Sequence, residues 1–338
     1  MSDIIELTHE DLLDGLLGLA RAAISHYAIS PDATVRLINL SENATYAVRD
    51  AAQGKQWALR VHREGYHSRM AIASELAWQQ ALKADGAAAT PWPVPGRDGE
   101  LIQVVSYAHP ALSRARNVVL FEWEGGSEPA ANDVAGFELL GETAARMHAH
   151  VRGWERPEWF ERLTWDFDTT LGSRPHWGRW QDGMGLTPDI EQVFAKTVFT
   201  IEQRLRRFGK SPKRFGLIHC DMRLANLLVD GQKVKVIDFD DSGFSWFLYD
   251  CATTVSFFEH EAAVPELVAA WVRGYRRVGE LSAEEEAEIP TFVMLRRLLL
   301  VAWIGSHSET ELAQAMGEQY TRDTVALCER YLAHAAGS

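Results

Sequence analysis

The stretch from Gly216 to Asp241, GLIHCDMRLANLLVDGQKVKVIDFDD, constrains this chain more than any other. An apolar run delivers His219-Cys220-Asp221, and Asn226 follows the aspartate by five positions. Asp230-Gly231 then sits between two apolar runs as a hairpin turn, and a strand from Lys233 to Ile237 brings Asp238 back to the same place. Phosphoryl transfer needs an acceptor for the substrate hydroxyl's proton and oxygen ligands for Mg²⁺, because its catalysis is mostly positioning and charge neutralisation. Asp221, Asn226 and Asp238 have that chemistry in that order.

Two blander readings compete. His219, Cys220 and Asp221 as a metal cluster fail on spacing, since no second Cys or His pair at a regular interval accompanies Cys220. An ordinary buried His-x-Asp pair behind a strand is harder to reconcile with three polar positions in register with a hairpin.

The pattern H-x-D-x-x-x-x-N followed by D-F-x resembles the catalytic and metal-binding loops of the protein-kinase-like fold. His-x-Asp in place of His-Arg-Asp, and Asp238-Phe239-Asp240 in place of Asp-Phe-Gly, look like the aminoglycoside phosphotransferase and choline kinase superfamily. Within it, the run from Asp238 to Asp250 is similar to the homoserine kinase type II and stress-response kinase group. The resemblance implies an α+β, two-lobed fold, with a small antiparallel five-stranded lobe over residues 1–124 and a larger, mainly helical lobe over 125–338. It implies ATP and Mg²⁺ as cofactors, Asp221 as the base or orienting acceptor, and Asn226 and Asp238 as metal ligands. His219 joins Asp221 and Asn226 in the catalytic set, expected to organise the loop by hydrogen bonding, and Asp250 looks like the buried aspartate that braces it.

Composition narrows the partners. A net charge of −13 and a pI of about 5.4 supply no basic field for nucleic acid or an anionic membrane. Cys220, Cys251 and Cys328 are too scattered for a disulfide framework, and the start Met1–Glu6 lacks the basic then apolar pattern of a signal peptide, so a cytoplasmic protein is expected. No apolar run approaches the ~20 residues of a membrane span, and the longest candidate, 293–304, is broken by Arg296 and Arg297.

Ahead of the central motif, Thr8 with Asp11 three residues on predicts a capped helix with Leu12, Leu13, Leu16, Leu17, Ala20, Ile24 and Tyr27 on one face. Strands follow from Val35, over Thr45–Val48, and over Trp57–Val61. A tight strand-to-strand loop can set backbone N–H groups over nucleotide phosphates, although Ser41-Glu42-Asn43 has no glycine and reads equally as an ordinary hairpin. By resemblance, Ser41, Glu42 and Asn43 form the nucleotide loop, and Arg60 stands where the fold carries its phosphate-contacting lysine. A guanidinium keeps the charge and binds phosphate bidentately, but it is bulkier than an ammonium. Glu75, on a helix expected from about Ser68 to Ala84, is its natural partner. Strands at 101–107 and 118–123 complete the first lobe, and the backbone of Glu122, Trp123 and Glu124 would be the hinge that hydrogen-bonds adenine.

In the second lobe His148 and His150, at i and i+2, do not share a helix face and read as structural. Trp154, Trp159, Trp165, Trp177 and Trp180 read either as core or as a substrate-facing insert, where Asp166 and Asp168 would suit an amino alcohol. The expected activity is transfer of the γ-phosphate of ATP to a hydroxyl of a small molecule that is amino alcohol-like, homoserine-like or aminoglycoside-like. The alternatives are a protein Ser/Thr kinase of the stress-response type and a nucleotide-binding pseudokinase, for which Arg60 in place of lysine is the one hint.

Overall fold

The computed structural model describes residues 8–231 and 233–337; the start Met1–Glu6, read above for its lack of a leader, lies outside them. The chain divides into two units, Met1–Lys83 with Thr90–Gly125 and Pro157–Glu161 in one, and Ala84–Ala89 with Gly126–Arg156 and Arg162–Ser338 in the other. Each unit thus takes in one short piece from the other's part of the sequence, 157–161 in the first and 84–89 in the second.

The first unit opens with α1 (His9–Ala23), started by a reciprocal cap in which the Thr8 hydroxyl accepts from Asp11 N–H and the Asp11 carboxylate accepts from Thr8 N–H. Strands β1 (Thr34–Leu40), β2 (Ala44–Asp50) and β3 (Lys55–Val61) form an antiparallel meander, and α2 (Arg69–Ala84) follows. The short strands β4 (Pro93–Val94) and β5 (Ile102–Val105) both pair with β6 (Arg116–Glu122), β4 against Leu120 and Phe121 and β5 against Arg116 to Val119. β3 occupies the other edge of β6, so β4 and β5 share one edge end to end. The five-stranded sheet expected from the sequence is therefore a six-stranded sheet, five positions wide. The Pro91–Pro95 run contributes β4, kept short because proline has no N–H to donate to a ladder.

The side-chain period of two explains why Val118 to Phe121 is uniformly apolar, since both faces of the sheet are covered. Val118, Leu120, Leu59 and Val61 pack against Leu16, Leu19 and Tyr27 of the α1 side. Val119 and Phe121 face Ile72 and Leu76 of α2. Arg60, between Leu59 and Val61, is thereby turned to the α2 face, where Glu75 stands.

The second unit runs α3 (Val134–Gly153), β7 (Leu163–Thr164), α4 (Phe167–Thr170), α5 (Pro188–Phe208), β8 (Phe215–Ile218), β9 (Leu227–Asp230), β10 (Lys233–Val236) and β11 (Gly243–Trp246). It continues through α6 (Phe247–Thr254), α7 (Val264–Arg276), α8 (Ala283–Ser306) and α9 (Glu311–Gly337), the last kinked at Gly317. β11 pairs antiparallel with β8 and parallel with β7, and β9 and β10 form a separate hairpin with Gly231 at φ 62 in its turn. α3 and α7 approach until Gly274 lies over the Glu138 carbonyl, where an added Cβ would come within 1.9 Å of that oxygen.

α8 is the one helix among the described residues whose length and apolarity would suit a membrane crossing, contrary to the expectation that none exists. It is instead a core helix, with 78% of its apolar window buried and both of its central arginines in ion pairs.

Candidate active site

The loop that carries His219 to Asn226 leaves the end of β8, and Asp238 to Ser242 lead into β11, whose Gly243 is in register with Ile218. Cys220 has a left-handed backbone, φ 66, which costs a non-glycine residue on the order of 1–3 kcal/mol unless its surroundings impose it. Asp250, completely buried on α6, supplies the constraint. Its Oδ1 accepts from Cys220 N–H at 2.8 Å and its Oδ2 from His219 N–H at 3.2 Å, and Thr253 one turn on accepts from Met222 N–H at 2.9 Å. Oδ2 also meets His148 Nε2 at 3.0 Å. A carboxylate only accepts, so Nε2 carries the proton, and Nδ1 takes the Tyr275 hydroxyl at 3.1 Å. His148 and His150 are structural as expected, the second bonded to Asp85 at 3.0 Å.

His219 is completely buried, and its tautomer follows from backbone partners. Asp221 N–H donates to Nδ1 at 3.2 Å, so Nε2–H donates to the Ile237 carbonyl at 3.1 Å. Both ring nitrogens are thus used within the loop. Through these two bonds His219 shapes the loop.

The Asp221 carboxylate is 8% exposed at the residue level and receives three donors. Oδ2 accepts from Asn226 Nδ2 at 2.7 Å and Arg223 Nε at 3.2 Å, and Oδ1 is bonded directly by Arg296 Nη2 from α8. Burial alone would push this carboxyl up, but the Arg296 and Arg223 guanidiniums hold it below the usual carboxylate range. An ionised carboxylate offers about four lone-pair sites, so one remains for an incoming hydroxyl. Asp221 can orient that hydroxyl and receive its proton late in the transfer.

Asn226 and Asp238 stand at the open end of the β9–β10 hairpin. Leu227 pairs with Val236, and Ile237 N–H donates to the Asn226 carbonyl at 2.9 Å. Asn226 Nδ2 also donates to the Asp221 carbonyl at 2.9 Å, which leaves Oδ1 as the side-chain oxygen able to ligate a cation. Asp238 is half-buried and has a left-handed backbone, φ 59. Among the described residues no cluster of three or more His, Cys, Asp or Glu side chains could hold a metal alone. An all-oxygen pair of one amide and one carboxylate fits Mg²⁺, which takes one or two protein ligands and completes its shell from phosphates and water.

In the first unit Arg60 Nη1 lies 2.6 Å from Glu75 Oε1, with Glu75 completely buried and the guanidinium 5.2 Å from the Phe121 ring centroid. The Ser41–Asn43 loop is closed by Ser41 N–H donating to the Asn43 carbonyl at 3.1 Å. Asn43 is buried and its Oδ1 accepts from Arg63 N–H at 3.0 Å, so this side-chain oxygen shapes the loop. Glu122 N–H is taken by the Trp92 carbonyl at 2.8 Å. Trp123 is exposed, and Glu124 lies 3.5 Å from Lys83.

The tryptophan segment resolves mainly as core. Trp165, Trp177 and Trp180 are buried, whereas Trp159 is exposed. Trp165 Nε1 donates to the Asp241 carbonyl at 2.8 Å, and Trp177 lies 5.3 Å from the Arg296 guanidinium. The acidic neighbours are used locally. Asp166 caps α4 and pairs with Lys210 at 2.6 Å, and Asp168 pairs with Arg174 at 2.6 Å.

Two arginines were absent from the sequence reading of the site. Arg162 donates to the carbonyls of Phe239, Asp240 and Ser242 and so fixes the backbone after Asp238. Arg296 reaches Asp221. Its signal was present as a charge in an apolar helix, which must be paired if buried.

A model of the phosphotransferase enzyme family (APH) matches residues 34–287. The solved structure of a microcompartment-associated aminopropanol kinase is 43% identical, with 94% of this chain and 97% of that one covered at a TM-score of 0.86. Amicoumacin kinase of Bacillus subtilis (strain 168) is 26% identical over 309 residues, 88% of this chain and 85% of that protein. Amicoumacin kinase hAmiN, solved in complex with AMP-PNP, Ca2+ and Ami, shares the fold at a TM-score of 0.74 and 20% identity, over 94% of this chain and 96% of that one. With a family match across most of its length and a relative of this identity, the chain belongs to the phosphotransferase enzyme family, as a small-molecule kinase that uses ATP.

Proposed function

We propose that this protein phosphorylates the hydroxyl of a short amino alcohol of the aminopropanol class. The observation that carries this reading is the 43% identity, across 94% of the chain, to a structure described as an aminopropanol kinase. Residues 1–124 are the nucleotide lobe and residues 125–338 carry the catalytic loop and the acceptor site. Arg60, oriented by Glu75, contacts phosphate oxygens; the Ser41–Asn43 loop supplies backbone N–H groups, and the backbone at Glu122 to Glu124 receives adenine. Asn226 Oδ1 and Asp238 hold Mg²⁺, which when bound neutralises charge on the transferring phosphoryl group. Asp221 orients the acceptor hydroxyl through its remaining lone pair and receives the proton.

The named relatives are described as acting on small molecules, which supports this reading over a protein acceptor. Arg60 was the one hint of an inactive nucleotide binder. It keeps a buried ion pair with Glu75, the arrangement that an active kinase needs, which supports activity.

The test is ADP release with aminopropanols, ethanolamine, choline, homoserine, an aminoglycoside and a generic protein acceptor, with ³¹P detection of the product. The highest kcat/KM is expected with an aminopropanol, and Asp221→Asn should reduce kcat by about 10²–10⁴. A preference for homoserine or the aminoglycoside, or phosphate on the protein acceptor, overturns the assignment.

A further inference from the structure

We propose that Arg296 is a positioning residue for phosphoryl transfer, setting the rotamer in which Asp221 meets the acceptor hydroxyl; this rests on Asp221 being the proton acceptor. Arg296 is 1% exposed, on α8, 75 residues from Asp221 in sequence. Its guanidinium is fixed by groups from separate parts of the second unit. Nη2 bonds Asp221 Oδ1, Nε donates to Ser256 Oγ at 3.0 Å beyond the end of α6, and Nη1 reaches the Tyr249 hydroxyl at 3.5 Å within α6. The Trp177 ring centroid lies 5.3 Å from the guanidinium, within cation–π range.

Stability does not account for the arrangement. A buried ion pair often contributes no more than well-packed apolar side chains would, and α8 is otherwise apolar at its centre. What the guanidinium adds is direction. Asn226 and Arg223 both act on Oδ2, so without Arg296 nothing else described holds Oδ1, and the plane of the carboxylate is set from one oxygen instead of two. A misplacement near 1 Å at a reacting group can cost about 10²-fold in rate.

Arg297 supplies the internal control. It is equally buried and pairs with Glu259 at 2.8 Å, Thr324 at 2.7 Å and the Tyr320 ring, with no contact to Asp221 among the interactions described. The two arginines share helix, burial and charge and differ in what they hold.

The experiment compares Arg296→Lys, Arg296→Ala, Arg297→Lys and Asp221→Asn by kcat, KM for ATP and thermal midpoint. Arg296→Lys is expected to lower kcat about 10-fold or more and Arg296→Ala about 10²-fold, with KM for ATP changed by less than about 2-fold. Guanidinium, at concentrations far below those that unfold proteins, should restore part of the Arg296→Ala rate and none of the Asp221→Asn rate. Arg297→Lys should lower the midpoint and leave kcat within about 2-fold of wild type. If Arg296→Ala fails to fold, Arg296→Lys alone carries the comparison. Wild-type kcat in a folded Arg296 variant, or a kcat loss in Arg297→Lys equal to that in Arg296→Lys, overturns the proposal. Wild-type turnover in Asp221→Asn would instead remove the role of Asp221 on which it rests.

Discussion

Asp250 Oδ1 accepts the backbone N–H of Cys220 at 2.8 Å, and Cys220 is one of three described non-glycine residues with positive φ. The strained residue immediately precedes Asp221, so the same hydrogen bond that holds the backbone determines where the Asp221 carboxylate begins. Asp250→Asn would replace an oxygen that only accepts with an amide that must turn an N–H toward one of its donors. The variant should lose on the order of 3 kcal/mol in urea unfolding and about 10²-fold in kcat. A stable variant with unchanged kcat would show that the loop holds its shape without Asp250.

His148 extends this brace and makes it pH-dependent. Burial lowers its pKa from the ordinary 6.5 against the opposing pull of Asp250, so the folded protein keeps the ring neutral. Below about pH 6.5 the unfolded chain takes up a proton that the folded one refuses, so stability rises with pH in that window. The contribution is complete above the unfolded value and is lost as pH falls toward the folded one. Gln at this position can still donate to Asp250 and accept from Tyr275 but does not titrate. The stability difference between wild type and His148→Gln should therefore shift against wild type by up to about 1.4 kcal/mol per pH unit below pH 6.5. Parallel pH profiles from chemical unfolding would show that His148 is protonated equally in both states.

The order Asp221, Asn226, Asp238 could be read from sequence because the three lie within one hairpin and its flanks, where spacing and turn chemistry are local. Glu75 could be paired with Arg60 only through the family resemblance; in the structure strand alternation turns Arg60 to the α2 face, where Glu75 meets it. Arg296 and Arg162 could not be placed the same way, since their partners lie 75 and 77 to 80 residues away and no local period links them. The tryptophans were ambiguous for a related reason. Composition shows that a ring must be buried but not whether protein or ligand buries it, and only the contacts of Trp165 and Trp177 assign them to the core.

For Asn226 and Asp238 as the proposed metal pair, the readout that avoids turnover is ATP-dependent stabilisation. A ligand that binds only the folded state raises the thermal midpoint with its concentration. Asp238→Ala should keep part of the shift produced by ATP alone and lose the extra shift produced by Mg²⁺ with ATP. Asn226→Ala should lose a portion of it, and its kcat should fall further because Nδ2 also holds Asp221. An undiminished Mg²⁺ response in Asp238→Ala would remove Asp238 from the metal site.

Arg60 is where this chain departs from the lysine of the kinase pattern, and its geometry makes the departure testable. The Arg60–Glu75 pair is buried at 2.6 Å, so removing either partner leaves an uncompensated charge and should cost about 3–5 kcal/mol of stability, with the double variant costing less than the sum. A charge-assisted contact to phosphate supplies on the order of 1.5–3 kcal/mol, so Arg60→Ala should also lower kcat/KM for ATP by roughly ten- to a hundred-fold or more. Arg60→Lys discriminates between two roles. An ammonium restores the charge but not the planar fork that lies over Phe121, so a phosphate ligand that uses the fork should recover only part of the ATP kinetics. Full recovery would mean that Arg60 acts as a point charge. Strict additivity of the Arg60→Ala and Glu75→Ala losses in kcat/KM, despite coupled stabilities, would mean that the pair holds α2 to the sheet without orienting a phosphate ligand.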